Sequence, residues 1–156
     1  MPKLKNGFTL IELLVVISII GVLAAFSIIT FAGAQKKSRD GLRKADLRNL
    51  QTSLRAYYND KGAYPTSNAT FQALACGAAC NTACTWGSQW NCGAGAGQTY
   101  MNLMPKDPTG VDYRYTYIND DDYTIDACLE NGNDTQGVAA TAGWCTTTNL
   151  MYRAKP

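Results

Sequence analysis

Hydropathy divides the first third of the chain into three stretches. Met1 to Gly7 is polar and basic, Leu13 to Ala34 is 22 residues without a charge, and from Lys36 onward charged and apolar residues mix. At about 1.5 Å per residue, a helix of that uncharged length crosses the roughly 30 Å hydrocarbon layer of a bilayer. Beyond it Leu47, Leu50, Leu54, Tyr57 and Tyr58 recur at spacings of three and four, the period of a helix with one apolar face. No proline lies between Pro2 and Pro65. The pattern therefore predicts one rod from Phe8 to about Asp60, roughly 80 Å long. Gly21, Gly33 and Gly41 are its weak points, and the turn residues Asn59-Asp60-Lys61-Gly62 end it.

The pattern then changes period. Tyr113 to Ile118 and Tyr123 to Leu129 alternate and are rich in β-prone residues, with Asn119 to Asp122 between them as a turn, which predicts an antiparallel hairpin. Gly143 to Tyr152 is expected to add one further strand. Thr66 to Met101, rich in Ala, Gly, Cys, Thr and Asn, reads as a loop between helix and sheet. The fold class is α+β: a long N-terminal helix, membrane-spanning in one half and amphipathic in the other, packed on a small antiparallel sheet.

Charge and cysteines locate the compartments. From Lys36 to Lys61 eight basic residues stand against Asp40, Asp46 and Asp60, whereas Gly62 to Pro156 holds four basic and eight acidic residues. A basic rod precedes an acidic head. All six cysteines (Cys76, Cys80, Cys84, Cys92, Cys128 and Cys145) lie in the polar part, and the chain has no His. An even cysteine count in a polar region points to disulfides in an oxidising compartment. The excess of Lys and Arg after the apolar run would by itself keep the C-terminus cytoplasmic. The cysteines argue for an exported head, and we follow them.

Glu12, at the start of the apolar run, is the anomaly. An ordinary secretory signal would end at Ala32-Gly33-Ala34 and release a soluble cysteine-rich binding module, but the uncharged run exceeds a signal core. A plain anchor with Glu12 at the interface is physically allowed. The residues Gly7-Phe8-Thr9-Leu10-Ile11-Glu12, followed by Leu13-Leu14-Val15-Val16-Ile17 behind a short basic leader, resemble the class III signal of type IV pilins and type II secretion pseudopilins. Leu54 to Pro65 is similar to the helix exit of that family, and Leu103-Met104-Pro105-Lys106-Asp107-Pro108 with Gly110 and Tyr113 resembles the segment leading into the sheet of the major pseudopilin.

The resemblance implies a prepilin whose leader, residues 1–7, is removed between Gly7 and Phe8 by a prepilin peptidase, with N-methylation at Phe8. Residues 8–34 would be the membrane and assembly half of the helix and 35–61 its amphipathic half. Residues 62–112 would be a cysteine-rich loop and 113–156 the sheet and C-terminal region. Glu12 is expected to pair with the Phe8 amine of a neighbouring subunit, since a carboxylate in a dry bundle needs a cation. The expected partners are further copies of the chain, other pilin subunits, the assembly machinery and the membrane. The expected location is a single-pass inner-membrane state with the head outside, then an extracellular or periplasmic filament. Pilus and secretion pseudopilin both fit these residues. Many pilins carry a proline in the membrane half of the helix; this chain has none there, and Gly21 is the expected site for a bend.

Candidate chemistry is sparse. The four-residue spacing of Cys76, Cys80 and Cys84 would align three thiols on a helix, but it lacks the close pairs of structural zinc sites. We expect Cys128 to pair with Cys145 and the other four cysteines to pair among themselves. Gly93 to Gly97 lacks the Gly-Lys-Ser/Thr of a phosphate loop. Asp120, Asp121 and Asp122 are calcium candidates by loose analogy with a C-terminal loop of major pseudopilins, and otherwise a solvated turn. The basic cluster from Lys36 to Arg48 has no interleaved aromatic residues and reads as a head-group or solvated helix face, with nucleic acid not indicated. No catalytic constellation is present, so a structural role is expected rather than an enzyme.

Overall fold

A computed structural model describes residues 7–70, 72–95, 97–140, 143–146 and 148–156. Residues 1–6 of the expected leader, including Lys3 and Lys5, and Ala96 of the glycine-rich run lie outside the described residues. The chain divides into two compact units, Met1–Lys36 and Lys37–Pro156. One helix, α1 (Leu10–Lys61), belongs in part to each.

In the first unit α1 presents apolar side chains to its surroundings all round, with Leu10, Ile17 and Phe26 among the exposed residues. Its hydroxyls turn inward on their own helix: Ser18 donates to the Val15 carbonyl (2.8 Å), Ser27 to that of Leu23 (3.0 Å) and Thr30 to that of Phe26 (3.2 Å). Such back-bonding leaves no hydroxyl donor unpaired where water is absent.

In the second unit the predicted apolar face of α1 buries Leu47, Leu50, Leu54 and Tyr57. The helix stops at Gly62, whose φ of 77° is the left-handed conformation that ends a helix without a Cβ clash. Its N–H donates to the Tyr58 carbonyl at 2.7 Å. The main sheet is antiparallel and contains β5 (Arg114–Asn119), β6 (Asp122–Cys128), β7 (Val138–Ala139) and β8 (Leu150–Ala154), in the order β5-β6-β8-β7. Tyr115, Tyr123, Ile125 and Ala127 point from it into the core with Tyr113. There Tyr123 meets Tyr64 edge-on with ring centroids 4.5 Å apart, and the Tyr115 hydroxyl donates to the Pro65 carbonyl at 2.6 Å.

Two expectations need correction. The stretch read as a loop carries two small antiparallel ladders, β1 (Leu74–Cys76) with β2 (Thr82–Ala83) and β3 (Trp90–Cys92) with β4 (Gln98–Met101). Their order comes from Trp90, which is buried, stacks near Tyr57 and Tyr100, and donates its indole N–H to the Ala75 carbonyl at 3.1 Å. The extra C-terminal strand spans Leu150–Ala154 rather than starting near Gly143, and β7 pairs with it as a further edge.

Candidate functional site: the assembly helix and its ionic anchor

The N-terminus of α1 is closed by a reciprocal cap. The Thr9 hydroxyl oxygen accepts from the Glu12 N–H (3.3 Å), while Glu12 Oε2 accepts from the Thr9 N–H (2.8 Å) and hydroxyl (2.6 Å). Thr9 and Glu12 thus form a capping box, which satisfies amides that a helix start leaves open. The Thr-x-x-Glu spacing carried that signal in the sequence, but the expectation for Glu12 concerned only a neighbour's amine. Phe8 is exposed and stands beside Ile11, Glu12, Val15 and Val16 around a shallow apolar hollow.

The second feature was not expected. The basic cluster after the apolar run is only partly a solvated face: Arg39, Arg43 and Lys44 turn onto the head. Arg43 is 1% exposed. Its Nε donates to Asp107 Oδ2 (2.5 Å), its Nη1 to Asp40 Oδ1 and Glu130 Oε1 (both 2.8 Å), and its Nη2 to Asp107 Oδ1 (3.1 Å) and Thr109 Oγ1 (2.9 Å). All five N–H donors of the guanidinium are therefore used. Arg39 holds Glu130 through a bidentate pair (2.8 and 2.5 Å), and Lys44 holds Asp134 (2.6 Å) and Gln136 (2.9 Å). Asp40 also accepts the backbone N–H groups of Glu130 (2.9 Å) and Asn131 (2.8 Å). Helical spacing puts residues 39, 40, 43 and 44 along one side of α1, and acids 64 to 91 residues away complete the cluster.

The electrostatics follow from this geometry. The Arg39 hydrogen bond, opposed by burial and reinforced by Arg43, lowers Glu130 from its ordinary 4.5 to about 2. Burial pushes the Asp107 carboxyl up, but the hydrogen bonds from Arg43 and Thr109 outweigh it and leave it below its ordinary value. Burial likewise disfavours charge on Arg43, and Asp107, Glu130 and Asp40 more than offset that. Glu130, Asp107 and Arg43 are therefore ionised at neutral pH.

The six cysteines form three disulfides: Cys76–Cys84, Cys80–Cys92 and Cys128–Cys145. The first two interleave along the chain: Cys76–Cys84 closes the β1–β2 ladder on itself and Cys80–Cys92 ties that ladder to β3; Cys76, Cys80 and Cys84 share no helix face. Cys128–Cys145 closes the loop that carries Glu130 and Asp134. Gly97 fits the turn between β3 and β4 because a Cβ there would stand 2.6 Å from the carbonyl oxygens of Cys92 and Gly93. The aspartates of the β5–β6 turn are engaged otherwise: Asp120 accepts from the Tyr117 hydroxyl (2.6 Å) and Asp121 from that of Tyr58 (2.5 Å). Among the described residues no group of three acids, cysteines or histidines converges on a metal position.

A capped apolar helix preceding a disulfide-bonded α+β head is the architecture of a prepilin-type protein. Residues 2–28 match the prokaryotic N-terminal methylation motif, and residues 30–142 match the type II secretion system (T2SS) protein G model. The chain is 31% identical to the type II secretion system core protein G of Vibrio cholerae over 137 residues, 85% of this chain and 88% of that protein. With the protein of the same name from Klebsiella pneumoniae the identity is 33% over 70% of this chain and 73% of the relative. It is also 41% identical to the type IV major pilin protein PilA of Myxococcus xanthus over 60 residues, 38% of this chain and 27% of that protein. No solved structure matches the chain. The chain belongs to the type II secretion system protein G family, within the wider group of pilins and pseudopilins. Its prepilin motif and apolar helix mark a membrane-anchored, single-pass protein.

Proposed function

We propose that this chain is the subunit of a short filament that serves protein secretion, assembled from membrane-anchored copies through the N-terminal half of α1. The observation that carries the reading is the contrast between the two units. The head is closed on itself by a core, three disulfides and an ionic cluster, while the large side chains described between Phe8 and Phe31 are exposed. Such a surface is covered by lipid or by other helices. In this reading cleavage between Gly7 and Phe8 creates the amine that is methylated, the head is exported, and the domain divisions at residues 34, 61 and 112 are functional ones. The match to a type II secretion core protein G over 85% of the chain favours a secretion filament. The 41% identity to a type IV major pilin favours a second reading, a pilus subunit.

Glu12 is assigned to assembly, paired in the filament with the Phe8 amine of a neighbour. The test compares Glu12→Gln and Glu12→Ala with the parent. Glutamine keeps an acceptor for the Thr9 N–H and so preserves the cap, but it cannot neutralise an amine. A buried charge stripped of its partner costs about 3–5 kcal/mol, so both variants should enter the membrane normally and form few or no filaments by electron microscopy. Normal filament numbers from Glu12→Gln would refute the assignment, and a mature N-terminus at Gln35 would refute the filament reading as a whole.

A further inference from the structure

The basic residues of α1 in the head separate into two groups. Arg39, Arg43 and Lys44 are consumed by the ionic anchor, whereas Lys37, Arg48, Arg55 and Lys61 make no ion pair among the described residues, and of these Arg48 and Arg55 stand two turns apart on the outward side. Both are exposed. With Gln51, Thr52, Ala56 and Asn59 they line an open furrow of about 580 Å³ along the helix. Its floor is short-chained at Thr52 and Ala56, and Arg48 and Arg55 are its two cations.

The same head carries a feature of opposite sign. The β5–β6 turn projects Asp120, Asp121 and Asp122, the first two exposed. It is held in shape rather than left loose: Tyr117 and Tyr58 donate to Asp120 and Asp121, and the Asp121 N–H donates to the Asn119 side chain at 2.9 Å. No lysine or arginine pairs with these three acids among the described residues.

We propose that the acidic β5–β6 turn of one copy docks into the Arg48–Arg55 furrow of the next, forming the head-to-head contact of the filament. Three observations support a second copy as the occupant. The first is charge: a fixed anionic projection and an unpaired cationic furrow occur on the same chain. The second is symmetry: two different patches that complement each other make a heterologous contact, which propagates into an open polymer instead of closing as a dimer. The third is offset. Tyr58, which anchors the turn through Asp121, lies three residues beyond Arg55 and ten beyond Arg48, or about 5 and 15 Å along the helix. A copy set back by that range brings its turn level with the furrow. The inference rests on the filament reading above.

The test uses the full-length chain and normalises filaments counted by electron microscopy to membrane-inserted subunit. Absence of alkylatable thiols in unreduced protein reports a folded head. Arg48→Glu with Arg55→Glu, and separately Asp120→Lys with Asp121→Lys, should each lower filament number about tenfold or more, because they set like charges against each other. The fourfold variant should recover most of the loss. Asp120→Asn with Asp121→Asn keeps acceptors for the two tyrosines, so a defect there reports charge and not turn geometry. Filaments at parental numbers from either reversal would overturn this contact while leaving the filament reading intact. Failure of the fourfold variant to recover would also overturn it and assign the arginines to another anion, such as a lipid head group. A parent chain that forms no filaments would overturn both.

Discussion

Replacing Arg43 by methionine tests whether the ionic anchor holds the head together. The substitution keeps an unbranched apolar stem and removes five donors at once. Asp40 retains the backbone amides of Glu130 and Asn131, and Glu130 retains Arg39. Asp107 fares worst: its side chain is 1% exposed and it would keep only the Thr109 N–H and hydroxyl. Breaking a buried pair from one side costs about 3–5 kcal/mol, a large part of the 5–15 kcal/mol that a domain has in total. The assay is guanidinium unfolding of the full chain in detergent, with disulfides intact, followed by the fluorescence of Trp86 and Trp90, both buried beside the core. With a slope of roughly 4 kcal/mol per molar the midpoint should fall by about 1 M. Asp107→Leu added to Arg43→Met removes the stranded charge and should restore more than half of the loss, since an apolar replacement of a whole buried pair is often near neutral. An Arg43→Met midpoint within experimental error of the parent, or a double variant whose losses simply add, would refute the reasoning.

Two further outcomes follow from the same head. Glu130 sits at about 2, and Asp107 and Asp134 lie below their ordinary values, Asp134 chiefly through its hydrogen bond from Lys44. Carboxyls lowered on folding stabilise fully above their unfolded values and lose that contribution as pH falls. Thermal midpoints should therefore hold down to about pH 4.5 and drop from there towards pH 2; a midpoint insensitive to pH across that interval would contradict the cluster. Opening Cys128–Cys145 with two serines releases a loop of sequence separation 17, and chain entropy puts the cost at about 3 kcal/mol. Calorimetry of the variant should show a lower melting temperature with the other two disulfides still formed, and an unchanged melting temperature would show that the Lys44 and Arg39 contacts alone hold that loop.

What was readable from the residues was local. The uncharged run, the spacing of Leu47, Leu50 and Leu54, the stop at Gly62 and the β5–β6 hairpin each announce themselves within a dozen positions, because period and turn chemistry act over that range. The ionic anchor could not be seen this way. Arg39, Arg43 and Lys44 look like any basic face until Asp107, Glu130 and Asp134 arrive from distant loops. Strands of two to four residues, such as β2, β4 and β7, are too short to show alternation and exist because Trp90 and the disulfides hold their neighbours. The Thr9–Glu12 cap differs, since its Thr-x-x-Glu spacing is local and legible in the residues themselves.

The position of the anchor along α1 has a mechanical meaning. Residues 39 to 44 follow closely on the boundary at Lys36, so a pull on the apolar end of the helix reaches the head at the ion pairs before it reaches Leu47. Without them, tension would peel the helix from the core one apolar residue at a time, each step small. With them, the first step requires several short, partly buried charge-assisted bonds to fail together. Resistance to force is governed by the height of the first barrier rather than by the total stability. The cluster is thus placed where tension arriving along α1 from its apolar end first meets the head.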